Sequence, residues 1–258
     1  MSSWSYRGTD LDTLGIVTLV SDSLMMPKKR GGNILIPFRD GRLFVQKLFE
    51  ERSMALGLEV VEDSISALEV KMDTVKALFG GRSLGALVQT LEDLSVRTIQ
   101  AEYVGDLNLS RVSPVSVKMV LDFVMPDPFF RGEVIVSEQQ TINESPKTYT
   151  ITNTGSAVER NAKIKLTGPL QNTVITNVTN GCVLTYTGTI ASPRVVTIQT
   201  VNGQFVATDD LSANVIGNVT HSGDAALFVI DAGANSLSVV DSTATNGTVT
   251  VEFYPPYL

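Results

Sequence analysis

The hydrophobic positions in the first half of the chain contain one clear helical stripe. Its members are spaced by three, four, three and four residues, and they are Ile65, Leu68, Met72, Val75 and Phe79. This spacing puts them on one face of an amphipathic α-helix. Asp63 or Ser64 is predicted to cap the start of the helix, and Gly80-Gly81 to end it in a left-handed conformation.

Strand patterns surround this predicted helix. The runs NILIPF and RLFVQ stand on either side of Arg39-Asp40-Gly41. Two apolar runs around Asp-Gly predict a β-hairpin, because glycine tolerates the positive φ that a tight turn needs. Further strands are predicted at residues 95–104 and 115–124.

The second half shows no helical period. Its runs of Thr, Val and Ile are separated by Gly, Asn, Asp and Pro at intervals of about eight to twelve residues, a spacing typical of an antiparallel sandwich or barrel. The runs are KTYTITN, NAKIKLTG, NTVITNV, CVLTYTG, RVVTIQTV, QFVATD, ALFVIDAG, NSLSVV and TVTVEFY. The sequence therefore predicts an all-β domain of about 120 residues.

Composition changes at the same place as the pattern. Residues 1–132 contain 6 Thr, 2 Asn and all 7 Met, whereas residues 133–258 contain 20 Thr, 11 Asn and no Met. We therefore predict two domains, 1–132 and 133–258, with the boundary between Pro126 and Pro146. The expected fold is mainly β with one helix: an α+β first domain with β-hairpins, followed by an antiparallel β-sandwich.

Charge and rare residues exclude several classes of protein. The 258 residues have a net charge of −7, so the basic surplus of a nucleic-acid binder is missing. One Cys, Cys182, and one His, His221, allow neither a disulfide framework nor a cysteine zinc cluster. The N-terminus resembles no secretory signal and no apolar run is long enough to span a membrane. We expect a soluble protein made in a reducing cytoplasm.

Two places in the second half invite a chemical interpretation. His221 has Ser222 and Asp224 nearby, but a catalytic triad needs convergence in space, which neighbouring positions do not supply. We predict a turn at His221. Asp209-Asp210 suggests Ca²⁺ binding but lacks the spacing of an EF-hand loop, so we favour a solvated loop.

Other charged groups also look structural. Lys28-Lys29-Arg30 is the only concentrated positive charge, and it is too short for a nucleic-acid footprint. We interpret it as an exposed hairpin or an interdomain contact. Glu50-Glu51-Arg52, Asp10 and Asp12 are read as solvated faces or interface charges. The sequence predicts no catalytic residue, no cofactor-binding residue and no metal ligand, and hence no enzyme.

The order of motifs in the first half resembles a known family. YRGTDLDTLGI (residues 6–16) leads through MPKKRGGNILIPFRDGRLF (26–44) to KLFEERSMALGLEV (47–60). This progression resembles the N-terminal domain of the distal tail (Dit) proteins of long-tailed, non-contractile bacteriophages, which has a Tyr/Phe-x-Gly opening and an IP-x-x-DG hairpin. Pro37, Asp40 and Gly41 match the hairpin, and MPDPFF (125–130) resembles the exit of that domain.

The second half resembles the same family. TNTGSAVERNAKIKLTGPLQNTVITN (152–177) is similar to the opening of its C-terminal sandwich, and HSGDAALFVIDAGANSLSV (221–239) to its close. The resemblance covers nearly the whole chain. One departure is Asn172-Thr173, where the family commonly has Asn-Pro.

The resemblance implies a structural role in the virion. N-terminal domains of the family are expected to contribute strands to a shared barrel and close into a ring, usually of six subunits, that continues the tail tube. C-terminal domains are expected to be galectin-like sandwiches. The protein is then a tail-tip hub that joins the tube to the tip and receptor-binding proteins and lets DNA pass without specific binding. No membrane partner is implied.

Two alternatives remain open. The C-terminal sandwich is a candidate carbohydrate-binding module for host wall polymers, which would need exposed aromatic rings. Its aromatic residues are Tyr149, Tyr186, Phe205, Phe228, Phe253, Tyr254 and Tyr257. A depolymerase of wall glycans would instead need a pair of carboxylates in a groove.

Overall fold

The chain divides into two compact units. The computed structural model describes residues 3–19, 26–35, 37, 40–45, 47–107, 109–201, 204–222 and 228–258. One unit runs up to Glu133 and the other is Val134–Tyr257, and we call them the N-terminal unit and the C-terminal unit. Each is described separately below.

The N-terminal unit is built on antiparallel strands and one helix, α1 (Ile65–Phe79), with a 3₁₀ turn at Leu11–Thr13. The strands are β1 (Ser3–Tyr6), β2 (Thr9–Asp10), β3 (Ile16–Leu19), β4 (Lys29–Arg30), β5 (Ile34–Leu35), β6 (Arg42–Leu43), β7 (Leu48–Phe49), β8 (Arg52–Val61), β9 (Gly85–Thr90), β10 (Val96–Tyr103), β11 (Ser110–Ser113), β12 (Ser116–Met125) and β13 (Phe130–Gly132). The large sheet has the order β2-β1-β9-β10-β12-β8-β3, with β11 beside β12 and β13 beside β10.

Helix α1 closes the core of this unit. Ser64 caps it, since the Ser64 hydroxyl accepts from the Ala67 N–H at 3.1 Å. The Phe79 ring stacks on Tyr6 with centroids 5.5 Å apart, and Phe123 meets Tyr6 edge-on at 5.1 Å. Four of the five stripe residues are buried, which confirms the helical period: Leu68, Met72, Val75 and Phe79.

Two details of the predicted helix are wrong. Ile65 is 50% exposed, because it occupies the first helical position and burial begins one turn later, at Leu68. Gly80 has φ −72°, so the helix does not end in a left-handed glycine. The following glycines have a spatial role instead: a Cβ at Gly81 or Gly85 would collide with the side chain of Arg7.

The Tyr-Arg-Gly motif forms a tight turn. Tyr6 pairs with Thr9, which leaves Arg7 and Gly8 as the two loop residues between β1 and β2. Their φ values are 51° and 80°, the positive values of a primed two-residue hairpin turn. Arg7 then reaches across to donate a hydrogen bond to the carbonyl of Ser83.

The hairpin predicted around Asp40-Gly41 is present. β5 pairs with β6, and Gly41 has φ 91°. The same two chain segments pair again further from the turn, where Lys29 of β4 lies opposite Phe49 of β7. Among the described residues, neither pair of strands is joined to the large sheet by strand pairing. We call residues 26–49 the hairpin arm.

The C-terminal unit consists of two five-stranded antiparallel sheets and a 3₁₀ turn at Ile216–Asn218. The ten strands of these sheets are β14 (Val136–Ile142), β15 (Lys147–Asn153), β16 (Lys163–Thr167), β17 (Leu170–Asn177), β18 (Cys182–Ile190), β19 (Val195–Val201), β20 (Gln204–Asp209), β21 (Val219–Ser222), β22 (Gly233–Val240) and β23 (Gly247–Phe253). A further short strand, β24 (Pro256–Tyr257), belongs to neither sheet. One sheet has the order β14-β23-β16-β19-β20 and the other β15-β22-β17-β18-β21.

A single hydrophobic core lies between the two sheets. Ile164 and Val251 of the first sheet and Leu184 and Leu237 of the second belong to one buried cluster. Side chains along strands such as β15 and β16 alternate between this core and the outer face, as expected for a sandwich. The predicted antiparallel sandwich is thus confirmed, and β14 and β21 are strands that the sequence pattern did not reveal.

Candidate functional site

His221 lies in a strand and not in the predicted turn. Its backbone pairs with Leu184 of β18, so the sheet extends further than the Gly-containing sequence suggested. The imidazole is exposed and meets the edge of Phe205 at 5.1 Å. Ser222 is the last residue of the same strand, and Asp224 lies outside the described residues. Strand neighbours point to opposite faces, so His221 and Ser222 do not converge.

Asp209 and Asp210 are bridged by a cation that sequence analysis missed. The Arg194 guanidinium donates from Nη2 to Asp209 at 2.7 Å and from Nε to Asp210 at 2.6 Å. The Ala213 N–H donates to Asp209 at 2.8 Å, and this bond, helped by Leu211 and Arg194, lowers the pKa of Asp209. These hydrogen bonds and ion pairs stabilise the loop that follows β20. In the described part of the chain no three metal-ligating side chains cluster.

A buried carboxylate that no motif revealed lies at the end of β22. Asp241 accepts hydrogen bonds at one oxygen from the Gln171 N–H and the Thr173 hydroxyl, at 2.8 and 2.9 Å. The other oxygen accepts from Thr243 and from the Ala244 N–H, at 2.8–3.0 Å. With all donors coming from the chain itself, Asp241 is a structural anchor for the neighbouring loops.

Aromatic rings of the C-terminal unit are mostly unavailable for stacking on sugars. Tyr254 is 48% exposed. Phe205 and Tyr257 are half-buried. The other four are buried: Tyr149, Tyr186, Phe228 and Phe253. These rings therefore build the core, and the described residues offer no row of exposed rings.

Two recesses open on the N-terminal unit. One, of about 290 Å³, lies on the sheet beside Gly57, where Glu59 pairs with Lys118 at 3.2 Å. The other, of about 470 Å³, runs between α1 and β11 over an apolar floor that includes Met72 and Val117. Neither recess gathers a buried nucleophile or a convergent set of polar groups of the kind that catalysis needs.

The hairpin arm exposes both basic and apolar side chains. Lys28, Lys29 and Arg30 are exposed there, which agrees with the predicted exposed hairpin. Five large apolar side chains of the arm are also exposed, by 45–75%: Met26, Ile34, Leu43, Phe44 and Leu48. Exposed apolar groups gathered on one element indicate a protein-contact surface. The hairpin arm is therefore a candidate protein-contact surface.

Comparisons with known proteins bear on the fold of the chain. No family model and no curated protein matches the chain. Among solved structures, the Dit (gp 19.1) protein of phage SPP1, described as a paradigm of hub adsorption apparatus in phages that infect Gram-positive bacteria, superposes with a TM-score of 0.73 at 14% identity over 100% of both chains.

A second similarity is weaker. The baseplate of phage P2 in its activated conformation with Ca superposes with a TM-score of 0.45 at 7% identity, over 98% of both chains. No helix in the described residues is long and apolar enough to cross a membrane. From end to end, this chain has the fold of the SPP1 Dit protein.

Proposed function

We propose that this protein is a structural subunit of a phage tail, a hub at the distal end that joins the tail tube to the tip and receptor-binding proteins. The observation that carries the proposal is the superposition on the SPP1 Dit protein with a TM-score of 0.73 over the full length of both chains. The match includes both units, so it supports the role of a two-domain hub rather than that of an isolated sandwich.

The proposed assembly is a homo-oligomeric ring, of six subunits, formed through residues 1–132. Two features support it. β3 and β11 each pair with one neighbour only within the described residues, so each leaves an edge free to pair. The hairpin arm also exposes apolar groups that a second protein surface would cover. Head-to-tail contacts of this kind close into rings when the rotation permits.

DNA passage through the ring is part of the same proposal. A net charge of −7 disfavours adhesion of phosphate, so a duplex would move through without specific binding. The protein would act in the virion, at the tail tip, after synthesis in the host cytoplasm. It would have no chemistry of its own and no cofactor.

The test is immunogold electron microscopy of phage particles that carry this gene, with antibodies raised against the full chain. We expect gold at the distal end of the tail, between the tube and the tip. Antibody absorbed with the purified chain is the matched control and should leave the tails unlabelled. Gold on the capsids would contradict the proposal. Particles that carry no gold, although a blot with the same antibody detects the chain in that preparation, would also contradict it.

A further inference from the structure

The loop between β22 and β23 ends in an Asn-Gly pair. Asn246 is exposed and has φ 66°, and Gly247 is the first residue of β23. Asn-Gly pairs are chemically labile, because the glycine has no Cβ to keep its backbone nitrogen away from the preceding side-chain amide. The sequence has two further pairs, Asn180-Gly181 and Asn202-Gly203, of which the second lies outside the described residues. The structure distinguishes the pair at 246 from the pair at 180.

Hydrogen bonds hold both reacting groups of the pair at 180. The Asn180 Nδ2 donates to a backbone carbonyl and to Asp231 Oδ2, both at 3.1 Å. Its Oδ1 accepts from the Cys182 N–H at 3.0 Å. The Gly181 N–H, which would have to attack, donates to the carbonyl of Asn177 at 2.7 Å. Because these bonds must break before the amide and the nitrogen can meet, the fold protects Asn180.

The side chain of Asn246 has no comparable restraint. Its backbone N–H donates to the carbonyl of Ile142 at 3.0 Å, but its amide makes no hydrogen bond to a described residue. Asp241 fixes the earlier part of the same loop by accepting from the N–H groups of Thr243 and Ala244. The loop therefore keeps its shape while the amide at its end is able to turn toward the next peptide bond.

The fold itself requires the reactive pair. A Cβ at Gly247 would collide with the carbonyl oxygen of Pro169 and the side chain of Leu170, so the packing of β23 needs glycine there. Asn246 has the left-handed conformation, which asparagine adopts more readily than most other residues. The turn and the close approach together place an exposed asparagine directly before an obligatory glycine.

We propose that Asn246 is a site of spontaneous deamidation in the folded protein. The Gly247 nitrogen gives up its proton and bonds to Cγ of Asn246, while the bond from Cγ to Nδ2 breaks and Nδ2 takes up a proton to leave as ammonia. Water then opens the resulting cyclic imide at either carbonyl. One opening gives aspartate, and the other gives isoaspartate, in which the main chain is longer by a methylene group. This chemistry does not depend on the proposed role in the tail.

Isoaspartate at this position would disturb a central strand of the C-terminal unit. β23 lies between β14 and β16, and its Val249 and Val251 are buried in the core. Gly247 pairs with Ile142 at the start of the strand. A longer main chain just before Gly247 is incompatible with the present position of that pair. We therefore expect a chain that carries isoaspartate to unfold at a lower urea concentration than the fresh chain.

Ageing of the purified full-length chain at mildly alkaline pH tests the site. Peptide mapping by mass spectrometry follows each amide, and enzymatic methylation identifies isoaspartate. In the folded chain we expect Asn246 to lose its amide roughly tenfold or more faster than Asn180, whose hydrogen bonds must open first. In urea the two should react at similar rates. Equal rates in the folded chain, or an amide at Asn246 that persists there while the unfolded chain reacts, would overturn the proposal.

Two variants separate the causes. Asn246→Gly keeps the positive φ and has no amide, so ageing should lower its resistance to urea less than that of the parent, measured by the reactivity of the buried Cys182. Asp231→Ala removes one restraint and should speed the reaction at Asn180 while leaving Asn246 unchanged. Equal loss of stability in parent and Asn246→Gly would overturn the effect on β23. An unaltered rate at Asn180 in Asp231→Ala would overturn the explanation by hydrogen bonds.

Discussion

The N-terminal and C-terminal units differ in how many large apolar side chains they expose to solvent and in how many polar residues they bury. Among the described residues, fifteen large apolar side chains are exposed in the N-terminal unit and seven in the C-terminal unit. Polar or charged residues show the reverse, with three buried in the N-terminal unit and seven in the C-terminal unit. The two units are of similar length, so size does not explain the difference.

Buried polar side chains of the C-terminal unit form hydrogen bonds with the backbone of its loops. Asn177 donates to the carbonyl of Val229 and to Asn235, and Asn235 in turn donates to the carbonyl of Asp231, all at 2.8–3.0 Å. These bonds satisfy backbone groups that strands leave unpaired at the ends of a sandwich. The C-terminal unit is therefore self-contained, whereas the N-terminal unit exposes apolar surface that an assembly would cover.

The largest effect that tests this comparison is expected at the helix of the N-terminal unit. Leu68 is 1% exposed, so Leu68→Ala removes buried methyl groups and leaves a cavity. We expect a loss of about 2–5 kcal/mol in the free energy of unfolding. Trp4 is the only tryptophan and lies buried in this unit, so its fluorescence during urea unfolding of the full chain measures the loss.

Ile65→Ala is the matched control on the same helix. Ile65 is 50% exposed, and its truncation should cost much less than that of Leu68. If the two changes lowered the free energy of unfolding equally, the helix would not close this core in the way described. If Ile65→Ala left unfolding intact but reduced association of the chain, the first turn of α1 would belong to the covered surface.

A smaller effect is expected at Asp241 in the C-terminal unit. Asp241→Asn keeps the shape but turns an acceptor into a donor that faces the donors of neighbouring loops. We expect a loss of about 1–3 kcal/mol, the cost of buried groups left unsatisfied. Cys182, the single cysteine, is buried in this unit, so its reaction with a thiol reagent in urea reports the unfolding. Asp210→Asn, on an exposed ion pair, should cost at most about 1 kcal/mol.

The same carboxylate gives the C-terminal unit a pH dependence. Burial raises the pKa of Asp241, but hydrogen bonds from Thr243, Gln171 and Ala244 outweigh it and hold the pKa below its ordinary value. The stabilisation is therefore complete above the unfolded-state pKa of about 3.9 and is lost as the pH falls through the lower folded pKa. Denaturation followed by circular dichroism should show this acid loss in the parent and a reduced loss in Asp241→Asn.

Sequence patterns correctly predicted the helix and strands that are determined by the spacing of apolar residues within one segment. The stripe from Leu68 to Phe79 is a helix, and the alternating runs KTYTITN and QFVATD coincide with β15 and β20. Each of these follows from a period of apolar residues that one face of a helix or sheet must bury. The end of the helix was predicted wrongly because Gly80 closes it in the right-handed conformation, with its N–H donating to the carbonyl of Lys76, so that no positive φ is needed there.

The other features that sequence analysis missed depend on contacts between residues that are distant in sequence. Arg194 lies close to Asp209 because β19 and β20 pair in register. The Gln171 N–H lies close to Asp241 because β17 pairs with β22. β14 was missed because VSEQQTI is too polar to show a strand pattern, and pairing with β23 determines it. Sequence analysis predicted the exposed basic residues of the hairpin arm but not its exposed apolar side chains. Their exposure depends on tertiary contacts, which the local pattern does not contain.

The smallest effect is expected at His221, where the C-terminal unit exposes its only imidazole. His221→Ala removes a ring that meets Phe205 at the surface and no hydrogen bond to a described residue. We expect a change within about 0.5 kcal/mol, measured by Cys182 reactivity in urea, and infectivity near that of the parent when the variant gene replaces the original in the phage. Phe205→Leu, which loses the same ring contact, is the control. Infectivity lost in His221→Ala but kept in Phe205→Leu, with both proteins folded, would show that the imidazole has a role in the virion beyond packing, and the view of the C-terminal unit as structurally self-contained would fail at this strand.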